Sequence, residues 1–199
     1  MSVSKAIEIL KKGGIVIFPT DTAFGIGCRV DDYEAVKRLF KIRNRPENQP
    51  APVLVDSVSM AEKVLSSPLP DNVRHLMKDY WPGSLTVIWY CRKNLIPPPV
   101  RGGGGLLGVR VPDHSQALTI IKGTGVPILG PSANFHGKNT PFEFKDLDPA
   151  LVRLADFTVP GDCTVRQVST VIDTTPSPWR IIRQGASVVE INRYKRHEK

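Results

Sequence analysis

Hydroxyls, amides and guanidinium groups are what this sequence offers for chemistry. The stretch FPTDTAFGIG, Phe18 to Gly27, follows the apolar run GGIVI and carries Thr20, Asp21 and Thr22. A second stretch, LGPSANFHGKNTP, places Ser132 and Asn134 behind another apolar run. If both strands run parallel, the two sets of polar side chains share the crevice where ligands bind in open α/β sheets. The plain alternative is a pair of loops, since Pro, Ser, Asn and Gly are turn formers. A cationic group, Lys41, Arg43 and Arg45, sits before Pro46 in KIRNRPENQP. Two readings stand side by side: a phosphate clamp of planar, bidentate donors, or cations placed at a helix C-terminus. Arg110 lies within the apolar segment VRVPDH. Such a charge needs a partner or a wet face, and a substrate carboxylate and a structural salt bridge both qualify. Late in the chain VSTVID contributes Ser169, and IIRQGA contributes Arg183 before a glycine.

Other chemistries are poorly served. There is no GxxxxGK[ST] phosphate loop. Gly103, Gly105 and Gly108 satisfy GxGxxG but precede the strand-like LGVRVP instead of following a strand, so a flexible glycine loop explains them better. The three cysteines, Cys28, Cys91 and Cys163, form no CxxC pair, and the four histidines form no compact ligand pattern. Neither a Cys–His nor a Ser–His–Asp set stands out. Lys and Arg number 27 against 19 Asp and Glu, a formal charge of +8, which favours polyanionic partners such as nucleic acid or nucleotide phosphates.

The elements that must position these groups alternate between helix and strand. Ser4 to Lys12 reads as a helix stopped by Gly13 and Gly14. IVIF, PVLV, SLTVIWY, LGVRV and VPIL read as strands, with STVID and WRIIR as two late strands joined through TTPSP. DDYEAVKRLFKIR has an Asp cap candidate and helical spacing of Ala35, Val36, Leu39 and Phe40. SMAEKVL, DNVRHLMKDY, SQALTIIKG and DLDPALVRLAD read as further helices, and IPPPVRGGGG as a flexible loop. The pattern predicts an α/β fold in one domain with a largely covered sheet. The N-terminus reads as an amphipathic helix and not a signal peptide. No apolar run approaches the roughly 18 to 20 residues of a membrane span, so the expected location is the cytoplasm, with no membrane partner.

Taken in order, FPTDTAFGIGC, RNRP, WPGSLTV, VRVPDH, GPSANFHG, STVID and RIIRQGA resemble the YrdC-like family, the threonylcarbamoyl-AMP synthases. The resemblance runs over nearly the whole chain and divides it into a catalytic domain, 1–187, and a basic tail, 188–199, in the short single-domain form. It implies a strongly twisted, open mixed sheet with flanking helices and a basic concave cavity. The implied reaction condenses L-threonine, bicarbonate and ATP to threonylcarbamoyl-adenylate and pyrophosphate. A transferase complex then passes the group to adenosine in tRNA. Mg²⁺ would come bound mainly through ATP, with no protein metal site. Carried over by position, Thr22, Arg110 and Ser169 form the threonine pocket. Arg45, Gln49, Ser132, Thr140 and Arg183 meet ATP, and Arg43, Arg45, Ser132 and Asn134 are the catalytic group.

The family usually shows Lys-x-Arg where this chain has Arg43-Asn44-Arg45. The register using Lys41 and Arg43 keeps the letters but shifts the frame, and Pro46 favours Arg43 and Arg45. Two other functions compete: a non-catalytic module that binds tRNA or double-stranded RNA, and a carbamoyl-adenylate-forming relative. Ser132 and Asn134 favour the synthase, because a related paralogue group lacks Ser-x-Asn. Asp21 has no assigned role; a carboxylate in an anion site needs a cation, and Arg or Mg²⁺ would serve.

Overall fold

A computed structural model describes residues 2–194. Helix α1, Ser2–Lys11, buries Ala6 and Leu10. It ends where Gly13 takes a left-handed φ of 80° and the Gly14 N–H returns to the Ile9 carbonyl at 2.9 Å. Strand β1, Val16–Phe18, is wholly buried, as its unbroken apolar run requires. Strand β2, Gly25–Gly27, pairs antiparallel with it. Helix α2, Tyr33–Ile42, is capped by the Asp32 side chain, which accepts from the Ala35 N–H at 3.0 Å.

Next come β3, Val53–Leu54, then α3, Val58–Val64, α4, Asp71–Tyr80, β4, Leu85–Tyr90, and β5, Leu106–Arg110. They are followed by α5, Ser115–Thr124, β6, Ile128–Leu129, and α6, Pro149–Leu154. The chain closes with β7, Phe157–Thr158, β8, Thr170–Asp173, and β9, Arg180–Arg183.

The strands divide between two mixed sheets, where the alternation pointed to one. One has the order β2-β1-β7 and the other β6-β3-β5-β4-β8-β9. Strand β1 is parallel to β7; in the larger sheet β3 is parallel to β5 and β4 to β8, while the remaining neighbours are antiparallel. The late hairpin joins β8 and β9 through TTPSP, as the sequence predicts.

A seam of backbone hydrogen bonds joins the sheets. Leu129 donates to the Cys28 carbonyl at 2.8 Å, Ile26 to Pro131 at 2.9 Å, and Ala133 to Phe24 at 2.7 Å. A β-carbon on Gly27 would overlap the Leu129 carbonyl, so this close approach requires glycine.

Two expectations about loops change. Pro98–Arg101 is a turn of 3-10 helix, and Arg101 Nε donates to the Ile96 carbonyl at 3.1 Å while Nη1 reaches the Gly103 and Gly104 carbonyls. The glycines after it are therefore pinned at their start and do not form a free loop. The tail 188–199, read as basic and solvated, is docked up to Tyr194. Tyr194 is buried, stacks on Trp179 and donates to Asp79 Oδ2 at 2.6 Å. Residues 195–199 lie outside the described residues.

Candidate active site

Helix α2 delivers two guanidinium groups. Its last turn ends in a Schellman arrangement, with Asn44 at a left-handed φ of 52°. The Asn44 N–H returns to the Lys41 carbonyl at 3.0 Å and the Arg45 N–H to Phe40 at 2.9 Å. That reversal turns Arg43 inward, and Arg45 meets the same cavity. Lys41 remains exposed and lies outside the cavity that Arg43 and Arg45 line.

Arg43 is 2% exposed. Its Nε donates to the Asn134 carbonyl at 2.9 Å and its Nη2 sits 3.5 Å from Asn134 Oδ1. Its Nη1 is buried with no hydrogen-bond partner among the described residues. Burial, and then the charge of Arg45, push its pKa down to about 10, which leaves it a cation at neutral pH. Arg45 spans its own loop, donating from Nε to the Gln49 carbonyl at 3.1 Å and from Nη2 to the Pro50 carbonyl at 2.5 Å; burial lowers its pKa too.

The seam between the sheets brings up the second group. Ser132 pairs antiparallel with Gly25 across it. The parallel arrangement that would have joined the two polar sets is therefore replaced by an antiparallel one, in which β1 and β6 belong to different sheets. Ser132 Oγ donates to Asn134 Oδ1 at 2.5 Å. The Asn134 amide donates to the Phe135 and Lys138 carbonyls at 2.9 and 2.7 Å. Asn134 thus holds Arg43 and Ser132 in place and does not itself line the cavity.

The third group comes from β5 and its neighbours. Arg110, at the end of β5, forms a buried ion pair with Asp21, Nη1 to Oδ1 at 2.7 Å. This settles the cation for Asp21 and the structural salt bridge foreseen for Arg110, and leaves the guanidinium on the cavity wall. Ser169 precedes β8. Its Oγ receives Arg183 Nη2 at 3.0 Å and lies 2.9 Å from Thr86 Oγ1, and its carbonyl receives Arg183 Nε at 2.9 Å. Arg183 reaches back from the exposed edge strand, and its pKa is lowered by burial and then by the nearby charge of Arg110.

One cavity is lined by Thr22, Arg43, Arg45, Arg110, Ser132, Thr140, Ser169 and Arg183 together. Gln49 is exposed and does not line it; only its carbonyl takes part, through Arg45. Thr86 lines it and was missed. The available signal was a hydroxyl on an apolar strand, which β-propensity alone explains. No acidic side chain lines the cavity, and no cluster of three His, Cys, Asp or Glu occurs among the described residues. Four guanidinium groups facing one space, with hydroxyls between them, make a receptor for anions that carry several oxygens. Cys163 is buried beside Asp21, its thiol pushed up to about 11 mainly by burial, so no reactive thiolate forms there.

The family described as telomere recombination, Sua5/YciO/YrdC, matches residues 8–185. The chain belongs to this family. It is 32% identical over 192 residues to a threonylcarbamoyl-AMP synthase from Bacillus subtilis, covering 94% of this chain and 54% of the relative. Among solved structures, Sua5 of Pyrococcus abyssi complexed with L-threonine aligns with a TM-score of 0.85 at 30% identity, over 92% of this chain and 54% of that one. YciO of Escherichia coli aligns with a TM-score of 0.84 at 26% identity, over 95% and 91%. The chain spans about half the length of the synthases it matches and nearly all of YciO. This Sua5/YciO/YrdC chain has a mixed α/β fold with flanking helices, as these structures have. No helix among its described residues is long and apolar enough to cross a membrane.

Proposed function

We propose that this protein is a threonylcarbamoyl-AMP synthase, joining L-threonine, bicarbonate and ATP to give threonylcarbamoyl-adenylate and pyrophosphate. The observation that carries the proposal is the unpartnered, buried Nη1 of Arg43 in a cavity with three further guanidinium groups. A buried cation without a counter-charge is costly, and an anion relieves it. The relatives named as synthases, and the Sua5 structure holding L-threonine, support the choice of anions.

In this reading Arg110 receives the threonine carboxylate, with Thr22 and Ser169 beside it. Arg43, Arg45, Arg183, Ser132 and Thr140 meet the nucleotide. A cationic pocket disfavours the ammonium form of threonine, so the amine is freed to attack the bicarbonate carbon; a C–O bond breaks, water leaves and a carbamate forms. The carbamate oxygen then attacks the α-phosphate and pyrophosphate leaves. Oriented donors stabilise the charge that develops, and no covalent nucleophile is needed. The lining offers Mg²⁺ no carboxylate, so the ion would travel as the nucleotide's own counter-ion. The product would pass to a transferase complex that modifies tRNA in the cytoplasm.

The test is incubation of the protein with ATP, Mg²⁺, bicarbonate and L-threonine, followed by detection of the adenylate and of pyrophosphate. Release that depends on both threonine and bicarbonate is expected; its absence would sink the proposal. The near-full-length match is to YciO, an uncharacterised protein, and leaves one rival, a protein of this fold without synthase activity. That rival predicts ligand binding in the cavity with no adenylate formed.

A further inference from the structure

We propose that Asp21 is a positioning residue that sets the enantiomer selectivity of the threonine pocket by locking the Arg110 guanidinium. The inference rests on the assignment of Arg110 to the substrate carboxylate. Asp21 is 1% exposed and has both oxygens engaged. Oδ1 accepts from Arg110 Nη1 at 2.7 Å, and Oδ2 from Ser84 Oγ at 2.8 Å. The same Nη1 points to the Gly83 carbonyl at 3.5 Å, and Nη2 donates to Thr20 Oγ1 at 3.3 Å.

Thr20 is itself immobilised. Its hydroxyl donates to the Ala23 carbonyl at 2.7 Å and accepts the Thr22 and Ala23 N–H groups, each at 3.2 Å. Of the five N–H donors on a guanidinium, this leaves the Nε–H and one Nη2–H unclaimed among the described residues. Rotating the fork would break bonds to Asp21, Gly83 and Thr20 together. The WPGS segment supports the lock twice, through the Gly83 carbonyl to the fork itself and through Ser84 to Asp21.

An acid at this place opposes affinity, because Asp21 and a substrate carboxylate would repel each other across one guanidinium. Charge compensation would be better left to the substrate if binding alone mattered. The value of a fixed acid is direction. A carboxylate held on an oriented fork, with Ser169 and Thr22 beside it, presents the α-carbon in one attitude, so the α-hydrogen and side chain cannot exchange places. A fork free to turn loses that distinction while keeping its charge.

The experiment is calorimetric titration of L- and D-threonine, and separately of ATP, into wild type, Asp21→Asn and Ser84→Ala. Wild type should prefer L-threonine. Asp21→Asn should bind L-threonine as tightly or more tightly, with the L-over-D preference reduced by about tenfold or more and ATP affinity unchanged within about twofold. Ser84→Ala should reduce the preference in the same direction by less, and it decides the matter if Asp21→Asn does not fold. An unchanged preference in the folded variants overturns the inference, as does an equal shift in ATP affinity. A purely structural role would weaken both enantiomers alike. Wild type that binds neither enantiomer would remove the threonine assignment itself and the inference with it, a result distinct from an unchanged ratio.

Discussion

Replacing Arg110 with methionine keeps most of its aliphatic volume and removes the charge. Asp21 is then left buried with Ser84 as its remaining side-chain partner. Breaking one side of a buried ion pair costs about 3–5 kcal/mol, a large share of a total stability of about 5–15 kcal/mol. For a chain of this size each kcal/mol moves Tm by about 2–4 °C. Arg110→Met should therefore melt roughly 6–20 °C below wild type. The double variant Asp21→Asn/Arg110→Met removes both charges, and the amide it introduces can still bond Ser84. A neutral, well-packed substitute for a buried pair is often as stable as the pair itself, so the double should regain most of the loss. Differential scanning calorimetry and urea titration of the three proteins decide this. Both variants should lack threonine-dependent pyrophosphate release and still bind ATP, which separates the folding role of Arg110 from its substrate role. A single variant as stable as wild type, or a double no better than the single, would refute the reasoning.

Arg43→Met should leave stability nearly unchanged or slightly raised. The fall of its pKa to about 10, from burial and then from the charge of Arg45, corresponds to a cost on the order of 3 kcal/mol, which offsets its bonds to Asn134. Nucleotide use should fall at least about tenfold; a loss above about 2 kcal/mol in urea titration would contradict this balance. Asp156→Asn should cost about 1 kcal/mol at pH 7 and distinctly less near pH 3. Arg38 and the Ile15 N–H hold the Asp156 carboxyl below its ordinary value. That contribution is present above the unfolded pKa of about 3.9 and is lost as pH falls through the lower folded value, so urea midpoints at the two pH values test it. Gly27→Ala should destabilise by about 1–3 kcal/mol, because its β-carbon would meet the Leu129 carbonyl; an unchanged thermal midpoint would mean the seam yields.

Where local chemistry decides, the sequence was readable. Asp32 capped α2 as its spacing implied, and the apolar runs became strands. The segment Gly25–Gly27 was harder: it carries two glycines, forms a strand, and bridges across the seam from Gly25 to Ser132, more than a hundred residues away. Strand β7, Phe157–Thr158, is too short to carry a pattern. Among the functional residues, Asp21 stood out as an acid needing a cation, and Arg110 as a cation needing a partner. Nothing local said that they were each other's answer, because a long-range contact leaves no periodicity behind. Likewise the charges of Arg43 and Arg45 were plain, while the burial that leaves Arg43 Nη1 without a partner among the described residues involves Asn134 arriving from the far seam.

The cavity wall draws on Thr20 near the start of the chain and on Arg183 near the end of the described residues. Strand β9, which carries Arg183, is an edge strand that pairs with β8. A chain emerging from a ribosome therefore passes through most of its synthesis with its early hydroxyls made and no receptor to put them in. The full set of lining residues exists only once Arg183 has been made. A cut between the first strand and the last would divide the residues that line this one cavity between two pieces.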